Sequence, residues 1–225
     1  MLQPMRGRDL DLYLSEGYFR MQQDLFTCRY VFFEDKLCQV YWLRLVLPNV
    51  IYGKSQLRIL KINGGFEVSV TPFRLTQELE TLYADYKGGI DFDAPESVES
   101  CLLNGSVFNV FDTYVVEVRD GGKLIAAGIF DNGLESIAGI MNFYDPAYRK
   151  QSLGKFLMLQ KIEYARRVGK TYYYPGYLAK DYPKFNYKLF ACEPATEVFD
   201  DYNGIWYPFS WERVQGLSGD ESGMF

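Results

Sequence analysis

Ten Lys/Arg residues stand against two Asp/Glu between Ala147 and Lys188, a local balance of +8 in a chain whose net charge is −5. Everything outside that stretch therefore carries −13. The cations Arg149, Lys150, Lys155, Lys184 and Lys188 alternate with aromatic rings, among them Tyr174, Tyr177 and Tyr187. Cations meet phosphates and flat rings stack on bases, so the pattern suits a polyanion such as RNA. The same composition also describes a solvated helix face beside an aromatic core. Charge alone does not separate the two readings; the order of the residues does.

Histidine is absent. That excludes Ser-His-Asp and Cys-His nucleophilic machinery and removes the commonest zinc ligand. An enzyme built from this chain must work by positioning, or with carboxylates, tyrosines, lysines and backbone amides. The four cysteines, Cys28, Cys38, Cys101 and Cys192, contain no C-x-x-C pair. No secretory signal is evident at the N-terminus and no stretch approaches the apolar length of a membrane span, so a cytoplasmic protein with reduced thiols is expected. Aromatic residues make up 17% of the chain, which favours β-structure and broad flat surfaces.

The elements that must position these residues follow from periodicity. Arg8 to Gly17 reads as a short helix, Phe26–Phe33 and Val40–Leu47 as strands, and Tyr52–Ile62 as a turn and basic segment with Lys54, Arg58 and Lys61 spaced for one helical face. Asn63-Gly64-Gly65 is a turn and the expected boundary between a small N-terminal α/β subdomain (1–63) and the main domain (64–225). Next come a strand (Phe66–Thr71) and two helices (Thr76–Tyr86 and Pro95–Leu103). Three strands follow: Phe111–Val118, Leu124–Phe130 after the tight turn Asp120-Gly121-Gly122, and Ile137–Phe143. Ser152 stands where an N-cap belongs. From it a helix runs to Gly169, with Leu153, Phe156, Leu157, Gln160, Tyr164 and Val168 as its buried side. A strand (Thr171–Pro175), a helical Asp181–Phe190, two short strands (Val198–Asp200 and Ile205–Phe209) and a loose acidic tail of about a dozen residues complete the chain. The order from Phe66 is that of the GNAT acyltransferase fold: α+β, with a mixed, mostly antiparallel sheet flanked by helices.

The residues carry a closer likeness. Gly122-Lys123-Leu124-Ile125-Ala126-Ala127-Gly128-Ile129-Phe130-Asp131, then Tyr144-Asp145-Pro146, Ser152-Leu153-Gly154, Tyr172-Tyr173-Tyr174, Gly176-Tyr177 and Lys184-Phe185-Asn186-Tyr187-Lys188 occur in this order. Upstream lie Gly17-Tyr18-Phe19-Arg20, Leu43-Arg44, Lys54-Ser55-Gln56 and Leu82-Tyr83. The pattern resembles the aminoacyl-tRNA–protein transferases, the arginyl- and leucyl-transferases of the N-degron pathway, from about Leu10 to Phe190. One departure stands out. The family's N-terminal cysteine cluster is reduced here to Cys28 and Cys38, and two cysteines without histidine cannot close a tetrahedral metal site. Neither metal nor cofactor is therefore expected.

The resemblance implies aminolysis: a protein's α-amine attacks the ester that joins an amino acid to the 3′ ribose of tRNA. The implied partners are aminoacyl-tRNA and protein N-termini beginning with Asp or Glu. The ester is already activated and an α-amine is partly neutral at physiological pH, so positioning and oxyanion stabilisation carry most of the catalysis. Ser152, Leu153 and Gly154 would then offer backbone N–H groups at a helix N-terminus to a terminal phosphate or ribose. The stretch Gln151-Ser152-Leu153-Gly154 lacks the first glycine of the coenzyme A loop in acetyl-transferring GNAT proteins. Arg149, Lys150, Lys155, Lys184 and Lys188 are the implied phosphate contacts. Tyr174 and Tyr177, beside Gly176, and Tyr187 would stack the terminal adenine or bound the aminoacyl pocket; plain strand packing is the alternative. Asp131 would hold an ammonium, or else shape the turn before Asn132-Gly133. Two other readings stay open: an acetyl-CoA-dependent acyltransferase, and a non-catalytic module that binds RNA or protein N-termini.

Overall fold

A computed structural model describes residues 4–33 and 35–219 of the chain. Leu10 and Leu14, one turn apart, form the buried side of helix α1 (Arg8–Ser15). Two hairpins follow: β1 (Phe19–Met21) with β2 (Asp24–Phe26), and β3 (Tyr30–Phe33) with β4 (Lys36–Val46). The basic segment after them is helix α2 (Lys54–Ile62), opened by Gln56, whose side-chain oxygen accepts from Gly53 N at 3.1 Å.

Then come β5 (Glu67–Pro72), α3 (Gln77–Lys87), α4 (Val98–Leu102), β6 (Thr113–Asp120), β7 (Lys123–Asn132) and β8 (Ser136–Tyr144). Thr76 caps α3 by accepting from Leu79 N, and Ser97 caps α4 by accepting from Ser100 N. The chain continues through a 3-10 segment (Pro146–Gln151), α5 (Leu153–Arg167), β9 (Tyr172–Ala179), a second 3-10 segment (Pro183–Phe190), β10 (Thr196–Asp200), β11 (Ile205–Pro208) and α6 (Trp211–Gly219).

One sheet runs β11-β10-β4-β9-β8-β7-β6-β5, with β3 attached to β4. Its β8–β9 pair is parallel and the other described pairs are antiparallel. The boundary expected at residue 63 falls between α2 and β5, yet β4, from its N-terminal side, lies between β9 and β10. β4 is consequently apolar and buried over most of its second half, as a strand covered on both faces must be.

Helix α5 covers one face of the sheet. Leu153, Phe156, Leu157 and Ile162 pack there against Val116, Val118, Ile125 and Ile137. Helices α3 and α4 cover the other face, with Leu79, Leu82, Val98 and Leu102 against Val115, Ala127, Ile129 and Phe143. Apart from Ala127, each such side chain contributes roughly 1.5–3 kcal/mol by leaving water.

Four expectations need correction. Ser152 precedes α5 but is left-handed (φ 53°) and makes no capping hydrogen bond through its side chain. Val168 is 47% exposed, whereas Met158, Leu159, Lys161 and Ala165 join the buried side of α5. The helical Asp181–Phe190 is a 3-10 segment that begins at Pro183. The expected loose tail is helical as far as Gly219, because Val214 is buried against Tyr41, Leu43 and Leu178; its remainder lies outside the described residues.

Candidate active site

Strands β8 and β9 pair over only three positions, Ser136 with Tyr172, Ile137 with Tyr173 and Ala138 with Tyr174, and then part. The cause lies on the opposite edge of β8. Its register with β7 shifts between Ile129 and Phe130, which leaves Ile140 as an extra residue. A bulge of this kind bends the strand and interrupts the ladder. Beyond the bulge β9 follows β4, and a cleft opens between the separating strands. It holds about 290 Å³ of empty space including its open mouth, and is lined by Gly139–Asn142, Met158, Lys161, Tyr173, Pro175 and Tyr187.

Lys161 projects from α5 to the floor of the cleft. Its Nζ donates to Ile129 O at 2.7 Å and to Met141 O at 3.2 Å, bridging the two strands at the bulge. Burial pushes its ammonium down to about 7, an effect that the Asp131 charge opposes. Tyr173 stands against Gly139, where a Cβ would lie 2.7 Å from the phenol oxygen, so only glycine lets the ring reach the strand. Burial holds that phenol well above its ordinary range. Asn142 donates weakly to Gly154 O at 3.4 Å, and its buried Oδ1 has no partner.

The rim is cationic and aromatic. At the start of α5 the Ser152 carbonyl accepts from Lys155 N and Phe156 N, at 3.1 and 3.0 Å. The earlier N–H groups of Leu153 and Gly154 belong to the open first turn. Leu153 is itself buried, so only its backbone is available there, while the Ser152 side chain is exposed. Arg149 and Lys150 are exposed on the preceding 3-10 segment. That segment is shaped by Asp145, which accepts from Ala147 N at 2.9 Å and pairs with Lys123 at 2.7 Å. Lys155 lies over the Phe190 ring at 4.5 Å. Tyr144 and Tyr86 pack with centroids 5.3 Å apart, and the half-exposed Tyr187 lines the cleft mouth.

Other expected site residues stand elsewhere. Asp131 is fully buried, 2.8 Å from Arg20 Nη1 and 2.6 Å from Thr113 Oγ1, which donates to it. Burial raises its carboxyl, while Arg20 and Thr113 oppose the rise. Both bonds fall on Oδ1 and anchor β1 to the sheet, while Oδ2 is buried without a partner. Lys188 is buried: its Nζ donates to Tyr177 O at 2.7 Å and lies 4.2 Å from the Phe185 centroid, and burial lowers it to about 7. It rests beside Gly176, whose φ is 98°. Tyr174 points to the other side of β9, into the cluster around Phe19 and Trp206, and Tyr177 packs edge-on against Trp42. Lys184 is exposed near the Tyr182 ring. Among the described residues no group of three or more His, Cys, Asp or Glu is placed to hold a metal ion.

Lys161, Asn142 and Gly139 escaped the sequence reading. A lysine on the same helix face as Leu153 and Leu157 was the available signal for the first of these.

The order strand, two helices, three antiparallel strands, helix, strand defines the GNAT-like acyltransferase class, with a cleft where its parallel pair divides. A family profile described as arginine-tRNA-protein transferase, C terminus, matches residues 78–192, and the chain belongs to that family. It is 31% identical over 151 residues to an aspartate/glutamate leucyltransferase of Thiobacillus denitrificans, covering 64% of this chain and 61% of that protein. It is 28% identical over 215 residues to one of Polynucleobacter necessarius, covering 90% of this chain and 79% of the relative. Among solved structures, L-PGS from Bacillus licheniformis aligns with 97% of this chain and 63% of its own at 13% identity and a TM-score of 0.45. No described helix is long and apolar enough to cross a membrane.

Proposed function

We infer that this chain transfers an aminoacyl group from aminoacyl-tRNA to the α-amine of proteins that begin with Asp or Glu, in the cytoplasm, marking them for degradation. The observation that carries the reading is the extent of the family match. Residues 78–192 include both strands of the cleft, the helix that floors it and the cationic rim. The names of the relatives favour leucine over arginine as the transferred residue.

In this reading the tRNA 3′ end enters at the start of α5. The Leu153 and Gly154 N–H groups and the helix dipole receive a phosphate or ribose oxygen. Arg149, Lys150 and Lys155 neutralise neighbouring phosphates. Tyr187, with Tyr86 and Tyr144, offers rings for the terminal adenine. Exposed Lys54, Arg58 and Lys61 extend the positive surface along α2, which is tied to the rim by Asn63 Nδ2 donating to Gln151 O at 3.0 Å. The ester carbonyl reaches the cleft, where β8 beyond Ala138 no longer pairs with β9. Holding ester and amine together there supplies most of the acceleration, because the ester is already activated.

Purified protein is to be given tRNAs charged with leucine, arginine or other amino acids, and peptides beginning with Asp, Glu or Ala. Labelling of the acidic peptides from leucyl-tRNA alone is the expected result. Labelling from arginyl-tRNA changes the donor, and no transfer from any charged tRNA sinks the reading.

A further inference from the structure

The aminolysis inferred above, on which this subsection rests, requires an acceptor amine that is protonated in large part near neutral pH to lose a proton before it attacks. Histidine is absent, Asp131 is fully buried and held through Oδ1 by Arg20 and Thr113, and Tyr173 is a neutral phenol throughout this range. We propose that Lys161 and Asn142 form the receptor for the attacking amine, with Lys161 Nζ taking its proton and Asn142 Oδ1 accepting one of its N–H groups.

The geometry favours a neutral Lys161. Its Nζ has two acceptors, Ile129 O and Met141 O. A neutral amine has two N–H groups and one lone pair, so both donors are satisfied and the lone pair remains. An ammonium would keep a third N–H without a partner in a buried place, which is costly. Of the charged and titratable groups around Lys161, Asp131 on β7 binds Arg20 of β1 and Thr113 through Oδ1 while its Oδ2 is buried without a partner, and the other two are the phenols of Tyr173 on β9 and Tyr187 in the segment after it. Burial brings the amine to about 7 against the opposing charge of Asp131, in the range where a base works at physiological pH.

Asn142 supplies the second half of the receptor. Its Oδ1 is buried without a partner although its Nδ2 has one. A Cβ at Gly128 would lie 2.9 Å from that oxygen and 2.9 Å from Lys161 Cε, so the two side chains converge over a position left empty by glycine. An unused acceptor and an unused lone pair thus line one cleft, and both are complementary to a primary amine.

The step balances. The acceptor ammonium gives one proton to Lys161, and the freed lone pair attacks the ester carbon. The C–N bond forms, the bond from that carbon to the ribose 3′ oxygen breaks, and a second amine proton leaves on that oxygen as hydroxyl. Lys161 returns its proton to solvent. Ammonium and ester have become amide, alcohol and one free proton.

The test is single-turnover transfer from leucyl-tRNA to a peptide beginning with Asp, followed from about pH 5.5 to 9. The wild-type rate should rise with pH and level off near neutrality. Lys161→Met should lose about 100-fold or more and lose the rise, and ethylamine should restore part of the rate to Lys161→Ala. Lys161→Arg, which keeps two donors but cannot deprotonate, should be as slow as the Met variant. Asn142→Ala, which leaves the core intact, should raise the KM for peptide and not that for tRNA. A rising limb that survives in Lys161→Met, or Lys161→Arg within about threefold of wild type, overturns the proposal. Wild-type protein inactive with every charged tRNA refutes the reaction itself, and the state of Lys161 is then read from urea unfolding. Because the folded amine titrates below the unfolded one, wild type should gain stability relative to Lys161→Met as pH rises from about 7 to 10. A gap that does not change with pH means a permanently charged Lys161, and rejects the proposal whatever the donor.

Discussion

Two buried residues show how composition misleads at the scale of one side chain. Lys188 reads in the sequence as one more phosphate contact, yet its amine sits among Tyr177, Phe185 and Tyr187. Its folded value near 7 lies below that of an unfolded lysine, so the unfolded chain binds the extra proton between the two. Lys188→Met should therefore be favoured relative to wild type at about pH 6 and lose that advantage towards pH 10, as measured by urea midpoints. Asp131 was the carboxylate expected to hold an ammonium, and the fold gives that place to Arg20, 93 residues from the Thr113 that shares the pair. Arg20→Met should cost about 3–5 kcal/mol in denaturant unfolding, because it leaves a buried carboxylate without its counter-ion. Neither burial was legible from spacing: Asp131 depends on Arg20, remote in the chain, and Lys188 on the fold of the segment that returns it to Tyr177.

At the scale of elements, the start of α5 decides most. Ser152 occupies the N-cap position without the cap, in a left-handed conformation that costs a serine roughly 1–2 kcal/mol. Ser152→Gly should accordingly raise the thermal midpoint, whereas loss of a true cap would lower it. The periodicity of Leu153, Phe156 and Leu157 located this helix correctly, because one apolar face is a local property. The cationic rim belongs to the same scale. Arg149→Glu with Lys150→Glu should weaken uncharged tRNA binding and reduce the slope of log K against log salt by about two phosphate contacts, read by fluorescence anisotropy. An unchanged slope would detach these residues from the nucleic acid. Helix α2 was legible only as a basic segment; its link to the rim through Asn63 and Gln151 depends on two chain regions meeting.

For the molecule as a whole, the sheet order matters more than the boundary at residue 63. With β4 between β9 and β10, a fragment of residues 64–225 would expose two unpaired edges at the centre of the sheet. It should fail to give a sharp thermal transition and should aggregate in size-exclusion chromatography. A monomeric fragment with cooperative unfolding would instead support two independent folding units. By itself the sequence determined the element order from β5 to β9, the amphipathic helix, the family pattern and the exclusion of histidine chemistry. Each of these is written in neighbouring residues or in composition. Only the tertiary structure decided where β8 and β9 part, that Lys161 closes the bulge and faces the cleft, and that Asp131 and Lys188 are withdrawn from its rim. The physical reason is common to all three. Strand register, desolvation and pairing depend on which residues the fold brings together, and periodicity along the chain carries no record of that.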